Sequence, residues 1–117
     1  MINLQIIHCT EFIFKGKNYE NSIVVFVYEE SLKKRLVDVT ELISLINIKA
    51  ERIFIYPCFS KRWIISDAVI KASIEIAKQL KKKFTNVSII YPTFTRNFIL
   101  TPNSSRYLLL EASLNIS

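Results

Sequence analysis

Glycine is almost absent from this chain, which has one glycine, Gly16, in 117 residues. A phosphate-binding loop of the Walker or dinucleotide type needs several glycines, and so does the sharp elbow that presents a catalytic serine. The sequence therefore excludes both kinds of site. Histidine is equally scarce, because His8 alone is available for a Ser-His-Asp triad and its neighbours in the sequence do not support one.

Cysteine is also rare. Cys9 and Cys58 are too few for a disulfide framework, and one histidine leaves no Cys/His spacing for zinc. We therefore predict no metal and no cofactor. A buried, inert thiol is the favoured interpretation of Cys58 and a nucleophile is the alternative, since no histidine lies near it in sequence.

Long apolar runs are missing too. No segment approaches 18 consecutive apolar residues, and the first ten residues lack the basic and apolar regions of a signal peptide. The sequence thus predicts a soluble, cytoplasmic protein without a membrane span. Half of the residues are hydrophobic, which is enough for the core of one domain over residues 1–117. The net charge of +6 favours polyanionic partners, nucleic acid first and acidic lipid second.

The hydrophobic patterns predict an α/β fold. Ser22–Tyr28 and Ile53–Tyr56 are apolar runs typical of central strands, and a polar segment over residues 15–21 predicts a hairpin-type turn. Residues 66–84 form the clearest helix, with Ser66 as N-cap and an apolar face that consists of Val69, Ile70, Ser73, Ile76, Ala77, Leu80 and Phe84. We expect a single mixed β-sheet with two helices packed on it.

Three further segments complete the predicted order. Asp38 with Glu41 resembles a capping box and predicts a short helix. The charged stretch 29–35 predicts a solvated connection. Tyr107–Leu114 is either a final strand or a short helix, because its repeated leucines suit both.

Aromatic and basic residues collect near the ends of two predicted strands. The rings are Tyr56, Phe59, Trp63, Tyr91, Phe94 and Phe98, which could stack on a nucleobase or belong to the core. Lys61 and Arg62 are either phosphate contacts or a solvated pair, and Lys81, Lys82 and Lys83 are either a solvated helix end or nucleic-acid contacts. His8 is either a strand-end residue bonded to backbone or a donor that lines a pocket.

Four stretches of the chain, taken in order, carry a family resemblance: LQIIHCTEFIFK, AERIFIYP, SDAVIKASIEIAKQLKKKF and NVSIIYPTFTRNFIL. Together they resemble the archaeal threonyl-tRNA synthetase N-terminal editing domain, whose fold is shared with D-aminoacyl-tRNA deacylases. The resemblance covers nearly the whole chain, with a shortened connection around residues 29–38. It implies a D-aminoacyl-tRNA deacylase-like fold and a proofreading hydrolase that removes serine from threonine tRNA, or D-amino acids from tRNA. The 2′-hydroxyl of the terminal adenosine assists the chemistry in such domains.

The resemblance also implies roles for particular residues. The substrate-binding set is His8, Tyr56, Pro57, Phe59 and Phe94, and the tRNA-binding set is Lys61, Arg62, Lys81, Lys82 and Lys83. The catalytic set is Ser60, Arg96 and Glu111, of which Ser60 stands where the family usually has histidine and Arg96 where it has a catalytic lysine. Arginine stays charged at every physiological pH, so Arg96 would be a poor general base.

Partners follow from the same resemblance. We expect the 3′ aminoacyl end of tRNA, a synthetase catalytic subunit if the domain acts beside one, and a homodimer that buries part of residues 107–116. Two alternatives stay open: a non-catalytic module of this fold that binds tRNA or a synthetase, and a small interaction protein that dimerises through a sheet edge.

Overall fold

The computed structural model describes residues 1–46, 50–60, 64–91, 98–103 and 108–114. Within these ranges it contains β1 (Ile2–Phe14), β2 (Lys17–Glu29), β3 (Leu36–Val37), α1 (Val39–Leu45), β4 (Arg52–Pro57), α2 (Asp67–Leu80), β5 (Val87–Ile89), β6 (Phe98–Pro102) and β7 (Leu108–Leu114). These strands form one mixed sheet in the order β3-β7-β1-β2-β4-β5, and β6 pairs with β1. The predicted α/β class, with one mixed sheet and two helices, is confirmed.

The sheet is built around a long antiparallel hairpin. β1 and β2 pair from Ile2 with Glu29 to Phe14 with Lys17, with a break at Thr10 and Asn21. The loop is only Lys15 and Gly16, both at positive φ (51° and 75°), as a two-residue type I′ turn requires. The predicted turn over residues 15–21 is therefore wrong in extent, because the polar residues from Lys17 onward continue as strand.

The alternation of side chains between the two faces of the sheet changes phase in the outer half of this hairpin. Cys9 and Phe12 share one core cluster although they are three residues apart, and so do Tyr19 and Val24. Strand alternation alone would put each pair on opposite faces. The change of phase coincides with Asn21 at φ 46° and with a register irregularity between Cys9 and Glu11. As a result the sheet curls, and β6 is carried over the face that the helices leave open.

The two helices cover the other face. Ser66 Oγ accepts a hydrogen bond from Val69 N (3.2 Å) and Asp38 Oδ1 accepts one from Glu41 N (2.9 Å), so both predicted N-caps are confirmed. Leu80 is fully buried. The other buried residues of α2 are Val69, Ala72, Ser73, Ile76 and Ala77, which confirms most of the predicted apolar face. The predicted helix is too long, since it ends at Leu80 rather than at Phe84, and Ile70 is only half-buried.

Parallel pairing sets the direction of the central strands. β2 pairs with β4 and β4 with β5 in parallel, so both central-strand predictions are confirmed. Helix α2 begins beyond the carboxyl end of β4 and returns antiparallel to it. Its 14 residues span about 21 Å, so Ser60 and Lys81 lie near opposite ends of the domain.

The connection between β2 and β3 is held against the sheet. Buried Asn3 donates through Nδ2 to Leu32 O (3.0 Å), and Ser113 Oγ donates to Asn3 Oδ1 (2.6 Å) while accepting from Lys34 N (2.7 Å). The predicted solvated connection is thus anchored by a buried polar network. Ser113 belongs to β7, so the open choice between strand and helix at residues 107–114 resolves as a strand.

Candidate functional site

The two faces of the sheet carry different side chains. The face under the helices, which we call the helix face, is lined by aliphatic residues. The opposite face is lined by rings and is called here the aromatic face; its rings are Phe12, Phe14, Tyr19, Phe26, Phe54, Tyr56 and Phe98. Of the predicted substrate-binding residues, Tyr56 lies on this face, near the carboxyl end of β4.

Three rings form the centre of the aromatic face and are called the ring triad. Tyr56 lies 5.2 Å from Phe26 and 5.3 Å from Phe98 between ring centroids, and Phe26 lies 5.7 Å from Phe98. These are favourable separations for tilted and edge-on aromatic pairs. Tyr56 is 6% exposed whereas Phe98 is 36% exposed, so one ring of the triad presents part of its surface to solvent.

Backbone hydrogen bonds hold residues 58–60, which follow β4. Pro57 is buried, Cys58 N donates to Val27 O (2.8 Å), and Ser60 N donates to Ile64 O (2.7 Å). These two bonds fix the segment beside the carboxyl end of β2. Phe59 is half-buried and Ser60 is exposed, so the predicted substrate-binding and catalytic residues of this segment lie at its accessible tip.

The two thiols are held in the neutral form. Burial raises the pKa of Cys9 to about 12 and that of Cys58 to about 11, and Cys58 N is bonded to Val27 O. A protonated thiol at neutral pH is a poor nucleophile. This favours the interpretation of Cys58 as an inert packing residue of the aromatic face.

Glu111 lies in the same row of the sheet as Tyr56. Register pairs it with Gln5, Gln5 with Phe26, and Phe26 with Tyr56, so the four side chains point to one face. Three strand spacings separate Glu111 from Tyr56, roughly 14 Å. The structure therefore brings Glu111 to the aromatic face, at its far side from β4.

Glu111 is not alone there, because its carboxylate forms a salt bridge with Lys34. The hydrogen bond to Glu111 raises the pKa of Lys34, and burial raises the pKa of the neighbouring Tyr28 phenol. Sequence reasoning missed Lys34 and Tyr28. The alternation of Phe26 and Tyr28 places Tyr28 on this face, but the pairing of Lys34 depends on the register of β7, which no local pattern reveals.

His8 lies on the other side of the sheet. It pairs with Ile23, which pairs with Ile53, and both isoleucines belong to the core under the helices. Its Nε2 is 2.8 Å from Asn21 Oδ1, so its partner is a side chain rather than the backbone. His8 lines an open cleft of about 510 Å³ together with Thr10, Glu11, Glu20, Asn21, Glu51 and Asn103. The structure does not bring His8 and Tyr56 together.

The remaining predicted residues fall into two groups. Lys81, Lys82 and Lys83 are exposed and directly follow α2, at the amino end of β4. Lys61, Arg62, Phe94 and Arg96 lie outside the described residues. Phe98, the first described residue after Arg96, belongs to the ring triad.

The described residues offer neither a metal-binding cluster nor a membrane-spanning helix. No group of three or more His, Cys, Asp or Glu residues within the described parts of the chain could hold a metal ion. No helix in those parts is long and apolar enough to cross a membrane.

Comparison of the chain with models of known protein families finds no match, and comparison with curated protein sequences finds none either.

Proposed function

We propose that this protein is an aminoacyl-tRNA editing domain with a D-aminoacyl-tRNA deacylase-like fold. Its substrate is a mischarged tRNA, either seryl-tRNA(Thr) or D-aminoacyl-tRNA, and its site is the aromatic face beside the carboxyl end of β4. The observation that supports this most is the ring triad. Phe98 lies two residues after Arg96 and contacts Tyr56, so the strand that follows Arg96 begins beside the Tyr56 ring.

The ring triad suits the terminal adenosine of tRNA. An adenine base stacks on an accessible aromatic side chain, which is worth about 1–3 kcal/mol per base. Phe98 offers such a surface, since it is 36% exposed and rests on two further rings. The half-buried Phe59 lies at the end of the segment that would enclose the nucleoside.

The reaction is hydrolysis of the ester between the amino acid and the terminal ribose. Water adds to the acyl carbon, the acyl carbon–oxygen bond breaks, and the products are a free amino acid and a ribose hydroxyl. In this proposal the adjacent 2′-hydroxyl assists the attacking water, and Arg96 holds the carbonyl oxygen as a fixed cation. Ser60, at the tip of the segment that follows β4, forms a hydrogen bond with the substrate. Glu111, paired with Lys34, orients groups at the far side of the face.

Such an activity has a physical reason. A synthetic site that selects threonine gains only about 1–3 kcal/mol over serine from one methyl group, so a second site must remove the errors. We further propose that the protein acts in the cytoplasm as a homodimer that buries part of residues 107–116, either in trans or beside a synthetase catalytic subunit.

A second function is favoured by the state of the titratable side chains. Cys58 is neutral, Glu111 is bound to Lys34, and His8 faces the other side of the sheet. None of these three is a free general base at the ring triad. The alternative is therefore a module that binds the 3′ end of tRNA, or a synthetase, without hydrolysis.

Deacylation assays separate the two functions. The purified protein is mixed with seryl-tRNA(Thr), with a D-aminoacyl-tRNA, and with correctly charged threonyl-tRNA(Thr) as the control. The editing function predicts loss of the first or second ester well above spontaneous hydrolysis, and little loss of the third. Salt-sensitive tRNA binding without turnover would establish the binding module instead.

Two changes test the chemistry. A substrate whose terminal adenosine lacks the 2′-hydroxyl should be hydrolysed far more slowly, and an unchanged rate would exclude the proposed mechanism. Arg96→Lys distinguishes two roles of the cation. If the Arg96 guanidinium clamps two oxygens, the lysine variant should bind the substrate more weakly. If the position is instead that of a general base, the lysine variant should hydrolyse the substrate at the same or a higher rate.

A further inference from the structure

Gln5 is a polar residue in the middle of the aromatic face. It lies between Phe26 on one neighbouring strand and Glu111 on the other. Its side chain is half-buried, and within the described parts of the chain its amide forms no hydrogen bond. An amide at such a position keeps an unused donor and an unused acceptor, which water or a ligand must satisfy.

Two parts of the chain flank Gln5 on this face. On one side, Asn3 points the same way as Gln5, is fully buried, and donates through Nδ2 to Leu32 O (3.0 Å), so the 29–35 connection lies over the sheet there. On the other side stands the ring triad, because Phe26 is the neighbour of Gln5 on β2, one strand spacing or roughly 5 Å away. Gln5 therefore lies in a groove between the connection and the ring triad, which we call the Gln5 groove.

Three hydrogen-bond acceptors belong to the Gln5 groove. They are the Gln5 amide oxygen, the Tyr28 hydroxyl and the Glu111 carboxylate oxygen that does not bind Lys34, Oε2. Glu111 is directly opposite Gln5 and Tyr28 is diagonal to it, at about 5 Å and about 7–8 Å, within reach of long side chains. The Glu111 side chain is 37% exposed, so its free oxygen is accessible. An ammonium group, with three N–H donors and no acceptor, matches this set.

The charges at the Gln5 groove also favour an ammonium group. The pKa of Lys34 is raised, chiefly by its hydrogen bond to Glu111 and further by the charge of Glu30, so these surroundings stabilise positive charge. A second ammonium at the Glu111 carboxylate would be repelled by Lys34, and the nearby carboxylate of Glu30 offsets that repulsion. The guanidinium of Arg35 is bound to Glu41 instead (3.0 Å).

We propose that the Gln5 groove binds the free α-ammonium group of an aminoacyl ester, with Gln5, Tyr28 and Glu111 as acceptors. The protein then selects aminoacyl-tRNA over esters whose amine is acylated, such as peptidyl-tRNA. This inference rests on the proposed function, because it takes the adenine to be stacked at the ring triad, to which the amine is joined through ribose and ester. An acylated nitrogen has lost its charge and two of its three N–H donors, so it leaves acceptors of the groove unsatisfied.

Binding of three inert ligands tests the groove. They are seryl-adenosine with an amide in place of the ester, the same molecule acetylated on the α-nitrogen, and its N-methyl form, which keeps the charge. The wild type should bind the acetylated ligand at least about tenfold more weakly than the free amine, because hydrogen bonds to a charged group are lost. The N-methyl ligand should bind nearly as well as the free amine. Equal affinities for all three, or rejection of the N-methyl ligand as strong as that of the acetylated one, would overturn the proposal.

Variants assign the effect to the groove. Gln5→Met keeps the length of the side chain but not its amide, and should weaken binding of the free amine about tenfold without changing that of the acetylated ligand. Gln79→Met, which removes the amide that bonds Glu75 on α2, is the matched control and should equal the wild type. Tyr28→Phe, which removes a hydroxyl only, should weaken binding about threefold and carries the test if Gln5→Met does not fold. Unchanged affinities in the folded groove variants would overturn the assignment.

Hydrolysis of seryl-tRNA(Thr) and of its N-acetylated form keeps this test separate from the proposed function. If neither ester is hydrolysed while the wild type prefers the free-amine ligand and Gln5→Met does not, the editing function fails and the amine site stands. If both esters are hydrolysed at equal rates and Gln5→Met changes neither KM, the amine site fails and the editing function stands.

Discussion

The helix face and the aromatic face are closed by different means. On the helix face two amphipathic helices seal an aliphatic core, in which Leu80 and Ile76 are fully buried. On the aromatic face no helix among the described elements packs, and the sheet closes over itself through the outer half of the hairpin and β6. The closure is incomplete, since Phe98 is 36% exposed and Leu100 only partly buried.

This difference assigns different tasks to the two faces. Aliphatic packing without accessible surface contributes to folding stability alone, whereas rings at an open edge contribute to stability and can also contact a ligand. The aromatic face also continues into polar side chains at Tyr28, Lys34 and Glu111. A binding site with an apolar floor and a few polar groups matches the usual composition of ligand sites.

The largest effect is expected from a cavity on the helix face. Leu80→Ala should lower the free energy of unfolding by about 2–5 kcal/mol, because a fully buried side chain leaves a void. Urea denaturation measures the loss, and Ile74→Ala on the exposed side of α2 is the control. Deacylation per folded molecule should not change. A loss below about 1 kcal/mol would mean that α2 does not pack as described.

The reverse pattern is expected on the aromatic face. Phe98→Ala should cost only about 1–3 kcal/mol of stability, since the ring is partly exposed, but it should raise KM for the charged tRNA at least about tenfold. Ile99→Ala on the same strand is the control, as that side chain is 61% exposed and outside the ring contacts. Equal KM values in the two variants would remove the ring triad from the site.

A helix cap gives a smaller change confined to stability. Ser66→Ala removes the hydrogen bond from Val69 N and should lower the free energy of unfolding by about 1 kcal/mol. Ser88→Ala, at an exposed position of β5, should have no measurable effect. Equal stability of the two variants in denaturant titrations would contradict the cap. Neither should alter KM, because neither residue belongs to the ring triad.

The smallest effect on activity is expected from the thiols. Cys58→Ala should leave the deacylation rate within about twofold of the wild type, because a neutral thiol contributes no nucleophile. A hundredfold lower deacylation rate would indicate instead that Cys58 is the nucleophile.

The same thiols make stability depend on alkaline pH. Folding raises the pKa of Cys58 from 9.0 to about 11 and that of Cys9 from 9.0 to about 12, so the native state favours the protonated form. The contribution of these two groups to the free energy of unfolding is fully present below pH 9, and it falls as the pH rises towards 11 and 12. Urea unfolding at several pH values should show this decline, and a double Cys→Ala variant should show less of it. An equal decline in both would refute the assignment.

Much of the fold follows from local patterns in the sequence. Local sequence rules predict three features of the fold that are confirmed. These are the apolar period of α2, the N-caps Ser66 and Asp38, and the apolar run of β2. Local patterns predict too short a hairpin, because Glu20 and Asn21 are polar. They continue β2 because Glu20 pairs with Glu11 of β1 and pairing resumes at Ser22 after Asn21, so tertiary pairing outweighs local propensity.

The candidate site follows from the sequence only in part. The segment Tyr56–Ser60 was predicted because strand ends are recognisable locally. The contact of Phe98 with Phe26 and the salt bridge of Lys34 with Glu111 join residues more than 70 positions apart. The first depends on the curl of the sheet near Asn21 and the second on the register of β7 against β1, and no local hydrophobic pattern predicts either.

The central claim is that the aromatic face, and not the cleft at His8, holds the aminoacyl end of tRNA. A non-hydrolysable seryl-adenosine analogue, with an amide in place of the ester, tests it when titrated into isotopically labelled protein. The account predicts NMR shift changes at Tyr56, Phe59 and Phe98 that saturate with the analogue, and none at His8 and Asn21. Changes centred on His8 and Asn21, or no saturable change on the aromatic face, would contradict it.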